Sequence, residues 1–160
     1  MGASIVPPRL SGLNSWSLEK VASGGVYCLC IGVRGDIDVR IGALGAIHFP
    51  EGRYIYVGSA LNGLEARVRR HLRMSRGVYR AIHWHVDYLL SQPEAVVEKV
   101  YALETVERLE CAIAGSVSER GEPVKGFGCS DCGCESHLFR VGNWDFLEDL
   151  GMREISIDDI

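Results

Sequence analysis

The sequence lacks three features that would define its class at once: a long apolar run, a secretion signal and an internal repeat. No apolar stretch approaches membrane-spanning length, and the N-terminus shows no basic segment followed by an apolar one. The 160 residues, 47% hydrophobic and 24% charged, are enough to bury a core. We therefore expect a single cytoplasmic domain, 1–160, without membrane contact. Within it, residues 1–20 are predicted to form a lead-in arm, 21–144 the core and 145–160 an acidic C-terminal element.

The chain also lacks overall positive charge, since its formal net charge is −4. This value argues weakly against nucleic-acid binding until it is resolved along the chain. Between Leu64 and Arg80 there are six arginines against Glu65, a local balance of +5 that leaves −9 elsewhere. Such a cluster is suited to phosphate contacts. A solvated helix face is the other interpretation.

Two short apolar runs have the composition of β-strands. The runs from Gly25 to Ile31 and from Tyr54 to Gly58 are rich in β-branched and aromatic residues and are bounded by glycine. Alternate side chains of a strand share a face, so Tyr27 and Tyr56 lie opposite their sequence neighbours. We expect one face of each strand to pack inward and the tyrosines to point outward.

The segment between these two strands predicts an added β-hairpin. Ile37, Val39 and Ile41 alternate with polar residues, Gly42 to Gly45 form a turn, and Ala46 to Phe49 can return as a strand. We expect this insertion to leave the strands of Tyr27 and Tyr56 adjacent.

Two helices are predicted after the strands. Asn62-Gly63 is a turn signal, and Leu64, Val68 and Leu72 then repeat at helical spacing, with Arg67 and His71 at the edge of that stripe.

The second helix is predicted from Thr105 to Arg120, with Leu109, Ala112 or Ile113, and Ser116 or Val117 on its inner face. Glu110 lies at its apolar margin. A carboxylate in that position needs a partner, and a divalent cation is one candidate.

These motifs resemble, in order, those of the GIY-YIG nuclease superfamily. The resemblance covers roughly Gly25 to Glu119, and the closest likeness is to a stand-alone, mainly archaeal branch classed as a domain of unknown function. The superfamily likeness is carried by Gly25-Val26-Tyr27, Tyr56-Val57-Gly58, Leu64 to Arg67 with His71, and Leu109 to Ile113. The likeness to the branch is carried by Phe49-Pro50-Glu51-Gly52, Tyr56 to Leu61, Arg70 to Arg73, His83 to Leu89, and Ser130-Asp131-Cys132 through Ser136 to Phe139. The resemblance implies an α+β fold, a small, mainly antiparallel central β-sheet flanked by α-helices, here with the inserted hairpin.

The resemblance also implies a function. It indicates a metal-dependent endonuclease that hydrolyses phosphodiester bonds in DNA, above all structured or damaged DNA in repair or recombination. RNA is a second candidate strand, and a DNA-repair protein is a candidate partner. The alternative function is a non-catalytic nucleic-acid-binding module that keeps the nuclease fold.

Five residues receive catalytic roles from the resemblance. Glu110 would hold Mg²⁺ or Mn²⁺, and Tyr27 would be the general base or orient the attacking water. Arg67 would stabilise negative charge in the transition state. Tyr56 and His71 would complete the hydrogen-bond network, with His71 a candidate proton donor or phosphate contact.

Nucleic-acid contacts are predicted at the arginine-rich helix and after it. The residues are Arg69, Arg70, Arg73, Arg76, His83 and His85. The last two form a polar wall of the expected groove together with Asp87, on either a helix or a strand. A structural hydrogen bond between a histidine and the Asp87 carboxylate is the other interpretation.

Four potential metal ligands lie close together near the end of the core. Cys129, Cys132, Cys134 and His137 form a C-x-x-C-x-C-x-x-H pattern. Reduced thiols are the first interpretation, a disulfide the second and structural Zn²⁺ the third, because the C-x-C segment makes a local four-ligand shell awkward. A zinc-stabilised interaction domain is accordingly a third functional class.

Overall fold

The computed structural model describes residues 15–17, 24–129 and 132–157. Within them, a seven-stranded, mainly antiparallel sheet has the order β1-β9-β6-β2-β5-β8-β7, and β3 and β4 form a separate pair. The strands are β1 Ser15–Ser17, β2 Gly25–Val33, β3 Ile37–Arg40, β4 Ala46–Phe49, β5 Gly52–Ala60, β6 Ala95–Glu104, β7 Gly121–Pro123, β8 Leu138–Val141 and β9 Arg153–Ser156. The helices are α1 Leu64–Ser75, α2 His85–Leu90 and α3 Glu110–Ser118. The predicted α+β fold class is confirmed.

The two tyrosine strands lie side by side at the centre of the sheet. Strand β2 pairs antiparallel with β5, so that Tyr27 lies opposite Gly58, and with β6 on its other side. The intervening hairpin of β3 and β4 forms as predicted and leaves this pair intact. Val39, Ile41 and Phe49 bury the hairpin against the main core.

Both faces of the sheet are covered, which corrects the expectation that the tyrosines point outward. Tyr27 and Tyr56 share a core with α1 and α2, whereas Cys28 and Ile55 face α3 on the opposite side. Both tyrosines are almost completely buried. Strand β2 is therefore apolar along its whole length, a pattern typical of strands enclosed on two sides.

The structure confirms the first predicted helix and corrects the start of the second. Helix α1 begins after Gly63, whose φ of 74° suits glycine, and buries Leu64, Val68 and Leu72 as expected. The second helix begins only at Glu110, so its predicted start at Thr105 was wrong. Thr105 Oγ1 accepts the Glu107 backbone N–H instead, and this local turn competes with the helix.

The remaining segments complete the sheet. Strand β9 pairs with β6 and β1, and a 3-10 helix, Asp145–Leu150, packs Phe146 and Leu147 against the α3 face. The predicted division into arm, core and acidic element stays a prediction. Residues 1–14 and 18–23, including most of the arm, lie outside the described residues. No helix in the described part is long and apolar enough to span a membrane.

Candidate active site

Tyr27 and His71 form a buried hydrogen-bonded pair between the sheet and α1. The Tyr27 hydroxyl lies 2.7 Å from His71 Nε2. The Tyr56 ring packs beside both, with its centroid 6.5 Å from that of Tyr27 and 6.2 Å from that of His71. The fold thus brings three of the five predicted catalytic residues into contact.

Burial fixes the protonation of this pair. Burial lowers the pKa of His71 to about 3, although the Asp87 carboxylate opposes the shift. Burial also raises the pKa of Tyr27, an effect that Arg67 only partly offsets. Both groups are therefore neutral near pH 7. The Asp87 carboxylate lies 4.0 Å from His71 Nδ1 and favours the tautomer with the proton on Nδ1, in which the phenol O–H donates to Nε2. Tyr27 is held as a protonated phenol, whose oxygen keeps lone pairs for another donor.

Gly58 provides the space for the Tyr27 ring. A Cβ atom added at Gly58 would lie 2.5 Å from the Tyr27 phenol oxygen, a distance that requires the ring to move. The glycine of the second motif is therefore needed for the tyrosine of the first.

Ser59 joins Arg67 to Glu110, the other two predicted catalytic residues. Arg67 Nη1 donates to the Ser59 carbonyl oxygen at 2.9 Å, and the Ser59 hydroxyl donates to Glu110 Oε1. Arg67 also lies over Trp84, with Cζ 4.6 Å from the ring centroid. The guanidinium and the carboxylate are thus held on either side of one serine.

Glu110 is an ionised carboxylate at the start of α3. Burial alone would raise its pKa, but contacts from His137 and Ser59 and the charge of Arg67 lower it. His137 Nδ1 lies 2.7 Å from Glu110 Oε2. The first turn of a helix also favours negative charge.

A cleft of about 350 Å³ opens beside Glu110. Its lining includes Ser59, Glu107, Glu110, Cys111, Cys132 and His137 but not Tyr27, Arg67 or His71. Among the predicted catalytic residues, Glu110 is the one that lines the cleft.

The arginines predicted to contact nucleic acid differ in how far they are exposed. Arg70 faces inward and donates to both Asp87 carboxylate oxygens, and Arg69 pairs with Glu65. Arg76 donates to the Ile157 carbonyl oxygen. Arg73 and Arg80 are exposed. The outer residues of the helix, rather than Arg70, therefore form its basic surface.

Asp87 lies on a helix, which decides between the two geometries left open for the histidines. Its carboxylate accepts the backbone N–H groups of His83 and Trp84 rather than a histidine side chain. The His83 ring packs edge-on against Trp84, and His85 Nδ1 accepts the Gly128 N–H. His83 is exposed and His85 is half-buried, so they do not form one polar wall with the buried Asp87.

The cysteines are arranged differently from the expected set. Cys111, Cys132, Cys134 and His137 have ligand atoms within 4.8 Å of one another. Cys129 lies outside this group and its thiol donates to the Glu135 carbonyl oxygen at 3.6 Å. All six cysteines are free thiols.

A family assignment follows from the match along the chain. The sequence model described as "Domain of unknown function DUF123" matches residues 26–155, from β2 to β9. The chain belongs to this family. The expected likeness to a domain of unknown function is thereby confirmed, while its place as an archaeal branch of the GIY-YIG nucleases stays a prediction. No curated protein and no solved structure shows significant similarity to the chain.

Sequence reasoning missed three parts of this DUF123 site: Ser59, Trp84 and Cys111. Ser59 and Trp84 lay inside quoted motifs, but their contacts with Arg67 depend on tertiary packing. Cys111 follows Glu110 directly, and that adjacency was the available signal that it belongs to the site.

We expect His71 to make the DUF123 chain sensitive to mild acid. The unfolded chain binds a proton on this residue below its ordinary pKa of 6.5, whereas the folded chain does so only near pH 3. The free energy of unfolding should therefore fall as pH drops through this window, by up to about 1.4 kcal/mol per pH unit. Urea unfolding at several pH values measures this slope. The charged or titratable groups around His71 are Tyr27, Tyr56, Arg67, Arg70 and Asp87.

The variant His71→Gln should flatten the dependence, even if it lowers stability at neutral pH. His48→Gln, at an exposed histidine on β4, is the matched control and should keep the wild-type slope. An unchanged slope in His71→Gln would assign the acid sensitivity to other groups.

Proposed function

We propose that this chain is a metal-dependent endonuclease of the GIY-YIG type that hydrolyses phosphodiester bonds in DNA. The observation that supports this proposal best is the connection from Arg67 through Ser59 to Glu110 at the cleft, with the pair of Tyr27 and His71 close to Arg67. The resemblance suggested these residues as one site, and they are close together although they come from β2, α1 and α3. Such a set supplies a guanidinium, a carboxylate and a phenol for phosphoryl chemistry.

The donor set fits a hard divalent cation. Glu110 is ionised, partly exposed and open to the cleft, and its oxygens keep lone pairs beyond the contacts with Ser59 and His137. Mg²⁺ and Mn²⁺ accept few protein ligands when water and phosphate oxygens complete the shell. When bound at Glu110, the ion would polarise the phosphoryl group as a Lewis acid.

The protein groups have separate roles in the proposed reaction. Arg67 stabilises the charge that builds on the phosphoryl oxygens, and Trp84 and the Ser59 carbonyl hold its guanidinium in place. Tyr27 orients the attacking water through a phenol lone pair, because its O–H already donates a hydrogen bond to His71. Tyr56 and His71 set the position of the phenol ring.

The outer arginines of α1 and of the residues that follow it would hold the strand. Arg69, Arg73 and Arg76 recur at helical spacing on one face, and Arg80 follows. Their contacts with phosphate are independent of sequence, which suits an enzyme that recognises DNA structure or damage in repair. Six free thiols are consistent with work in the reducing cytoplasm.

Cleavage of a defined DNA panel tests this proposal. Labelled single-stranded, duplex, flap and branched DNAs are incubated with Mg²⁺, Mn²⁺ or EDTA. We expect metal-dependent cutting by the wild type, and Tyr27→Phe should reduce kcat about 100-fold because the ring stays but the oxygen is lost. Binding of DNA should be unchanged.

Tyr54→Phe is the matched control. Tyr54 is also buried on the sheet, but its hydroxyl donates to the Pro50 carbonyl oxygen, so we expect its removal to leave cleavage intact. Equal losses in both variants would contradict a specific role for Tyr27. If the wild-type protein binds these DNAs without cutting them, the function is that of the non-catalytic binding module instead.

A further inference from the structure

Three sulfur atoms and one imidazole meet where α3 approaches the segment before β8. Cys111 is the second residue of α3, and Cys132, Cys134 and His137 belong to the segment 132–137. Their ligand atoms all lie within 4.8 Å of one another. The group therefore joins two parts of the chain that are more than 20 residues apart.

The spacing of these atoms is close to that of a tetrahedral zinc shell. With Zn–S bonds of about 2.3 Å, neighbouring ligand atoms lie about 3.8 Å apart. Cys132 Sγ is 3.5 Å from His137 Nε2, and the widest separation in the group requires a contraction of about 1 Å. Side-chain rotation can supply this contraction, because Cys111 is exposed and Cys132 and Cys134 are only half-buried.

Glu110 gives His137 the tautomer that a metal needs. Nδ1 lies 2.7 Å from Glu110 Oε2, and since an ionised carboxylate only accepts, Nδ1 carries the proton. The lone pair of Nε2 then points toward the Cys132 sulfur. A carboxylate that holds the far nitrogen of a histidine ligand is a recurrent feature of zinc sites.

The short stretch that carries Cys132 and Cys134 has few apolar contacts to order it. Between Pro123 and Leu138 the described residues form turns and bends, without helix or strand. Cys132 to Glu135 contribute no residue to the buried core. A cross-link to α3 would therefore replace the apolar contacts that residues 132–135 lack.

We propose that Cys111, Cys132, Cys134 and His137 bind one zinc ion as a structural site, with the Glu110 carboxylate next to His137 Nδ1. Three thiolates and an imidazole form a closed, soft donor set that selects zinc over Mg²⁺. Cys111 removes the difficulty of closing the shell locally, because the fourth ligand comes from α3 rather than from Cys129. Binding requires the three thiols to lose their protons. The site shares Glu110 and the lining of the cleft with the proposed nuclease site, but its zinc content is measured without any cleavage assay.

Metal content and cobalt substitution test the proposal. Wild-type protein purified without added metal should contain one zinc per chain by mass spectrometry. Replacement by Co²⁺ should give the visible d–d bands and thiolate charge-transfer bands of tetrahedral sulfur coordination. Both readouts are made on the wild-type protein, so neither requires a variant that folds.

Two serine variants distinguish the proposed ligand set from the one in which Cys129 replaces Cys111. Cys111→Ser should weaken zinc binding about 100-fold or more, because a thiolate that coordinates the ion contributes at least as much affinity as a residue that only hydrogen-bonds to a ligand. Cys129→Ser should keep both the zinc and the cobalt spectrum. Wild-type protein without zinc, or zinc lost from Cys129→Ser but retained by Cys111→Ser, would overturn the assignment.

Discussion

Replacing Glu110 by glutamine should reduce metal-dependent cleavage by on the order of 10³-fold, the largest effect on activity that we expect from one substitution. Glutamine keeps the size of the side chain and an oxygen that accepts from Ser59 or His137, but it removes the charge that attracts a divalent cation. The contacts that position the residue can therefore survive while its affinity for the cation falls. Cleavage rates across a Mg²⁺ titration measure the change.

Glu107→Gln is the matched control for this experiment. Glu107 lines the same cleft and is exposed. The contacts with the Ser59 hydroxyl and with His137 Nδ1 are made by Glu110. The same loss of charge should leave cleavage within about twofold, since an exposed charge interacts only weakly through water. Zinc content and thermal stability are measured alongside, so that a damaged cysteine site is not mistaken for a catalytic defect. Full activity in Glu110→Gln would remove Glu110 from the proposed mechanism.

Replacing Asp87 by alanine should lower the free energy of unfolding by about 3–5 kcal/mol, the largest effect on stability that we expect. The Asp87 side chain is completely buried and accepts from the Arg70 guanidinium at 2.9 and 3.0 Å. It also accepts the backbone N–H groups of His83 and Trp84 at 2.6 and 2.8 Å. Alanine leaves these donors without their acceptor, and buried donors are costly when unpaired. Urea unfolding followed by circular dichroism measures the loss.

Asp38→Ala provides the comparison at an exposed ion pair. The Asp38 carboxylate lies 2.7 Å from His48 Nδ1, but its side chain is 75% exposed. Because solvent screens such pairs, we expect a change below about 1 kcal/mol. In a double-mutant cycle, Arg70→Ala and Asp87→Ala should show a coupling energy rather than add independently. Additive losses would mean that the backbone contacts, rather than the ion pair, account for the effect.

Local sequence patterns were sufficient to predict the inserted hairpin, the buried face of α1 and the pairing of the two tyrosine strands. The alternation of Ile37, Val39 and Ile41 predicted the hairpin, and the spacing of Leu64, Val68 and Leu72 predicted the buried face of α1. The adjacency of β2 and β5 followed from the same patterns. Such signals depend on residues close together in the chain, where the period of the element decides which side chains share a face.

The features that sequence patterns missed or placed wrongly depend on distant contacts or on local competition. Tyr27 is buried because helices cover both faces of the sheet, and alternation within one strand cannot show a second layer. Arg70 is withdrawn from solvent by Asp87, 17 positions away. Cys111 is separated by more than 20 residues from Cys132. The late start of α3 depends instead on one threonine hydroxyl, whose turn propensity a helical pattern does not record.

The fit of Tyr27 against Gly58 links two positions that are 31 residues apart in the chain. Any side chain at position 58 would occupy space that the phenol ring already fills. The two sites therefore cannot drift independently: a larger residue at 58 is compatible with the fold only when residue 27 becomes smaller or its ring turns away from His71. This coupling makes the effect of a substitution at either position depend on the other, so that an accessible path of single changes away from the tyrosine would have to begin at position 27.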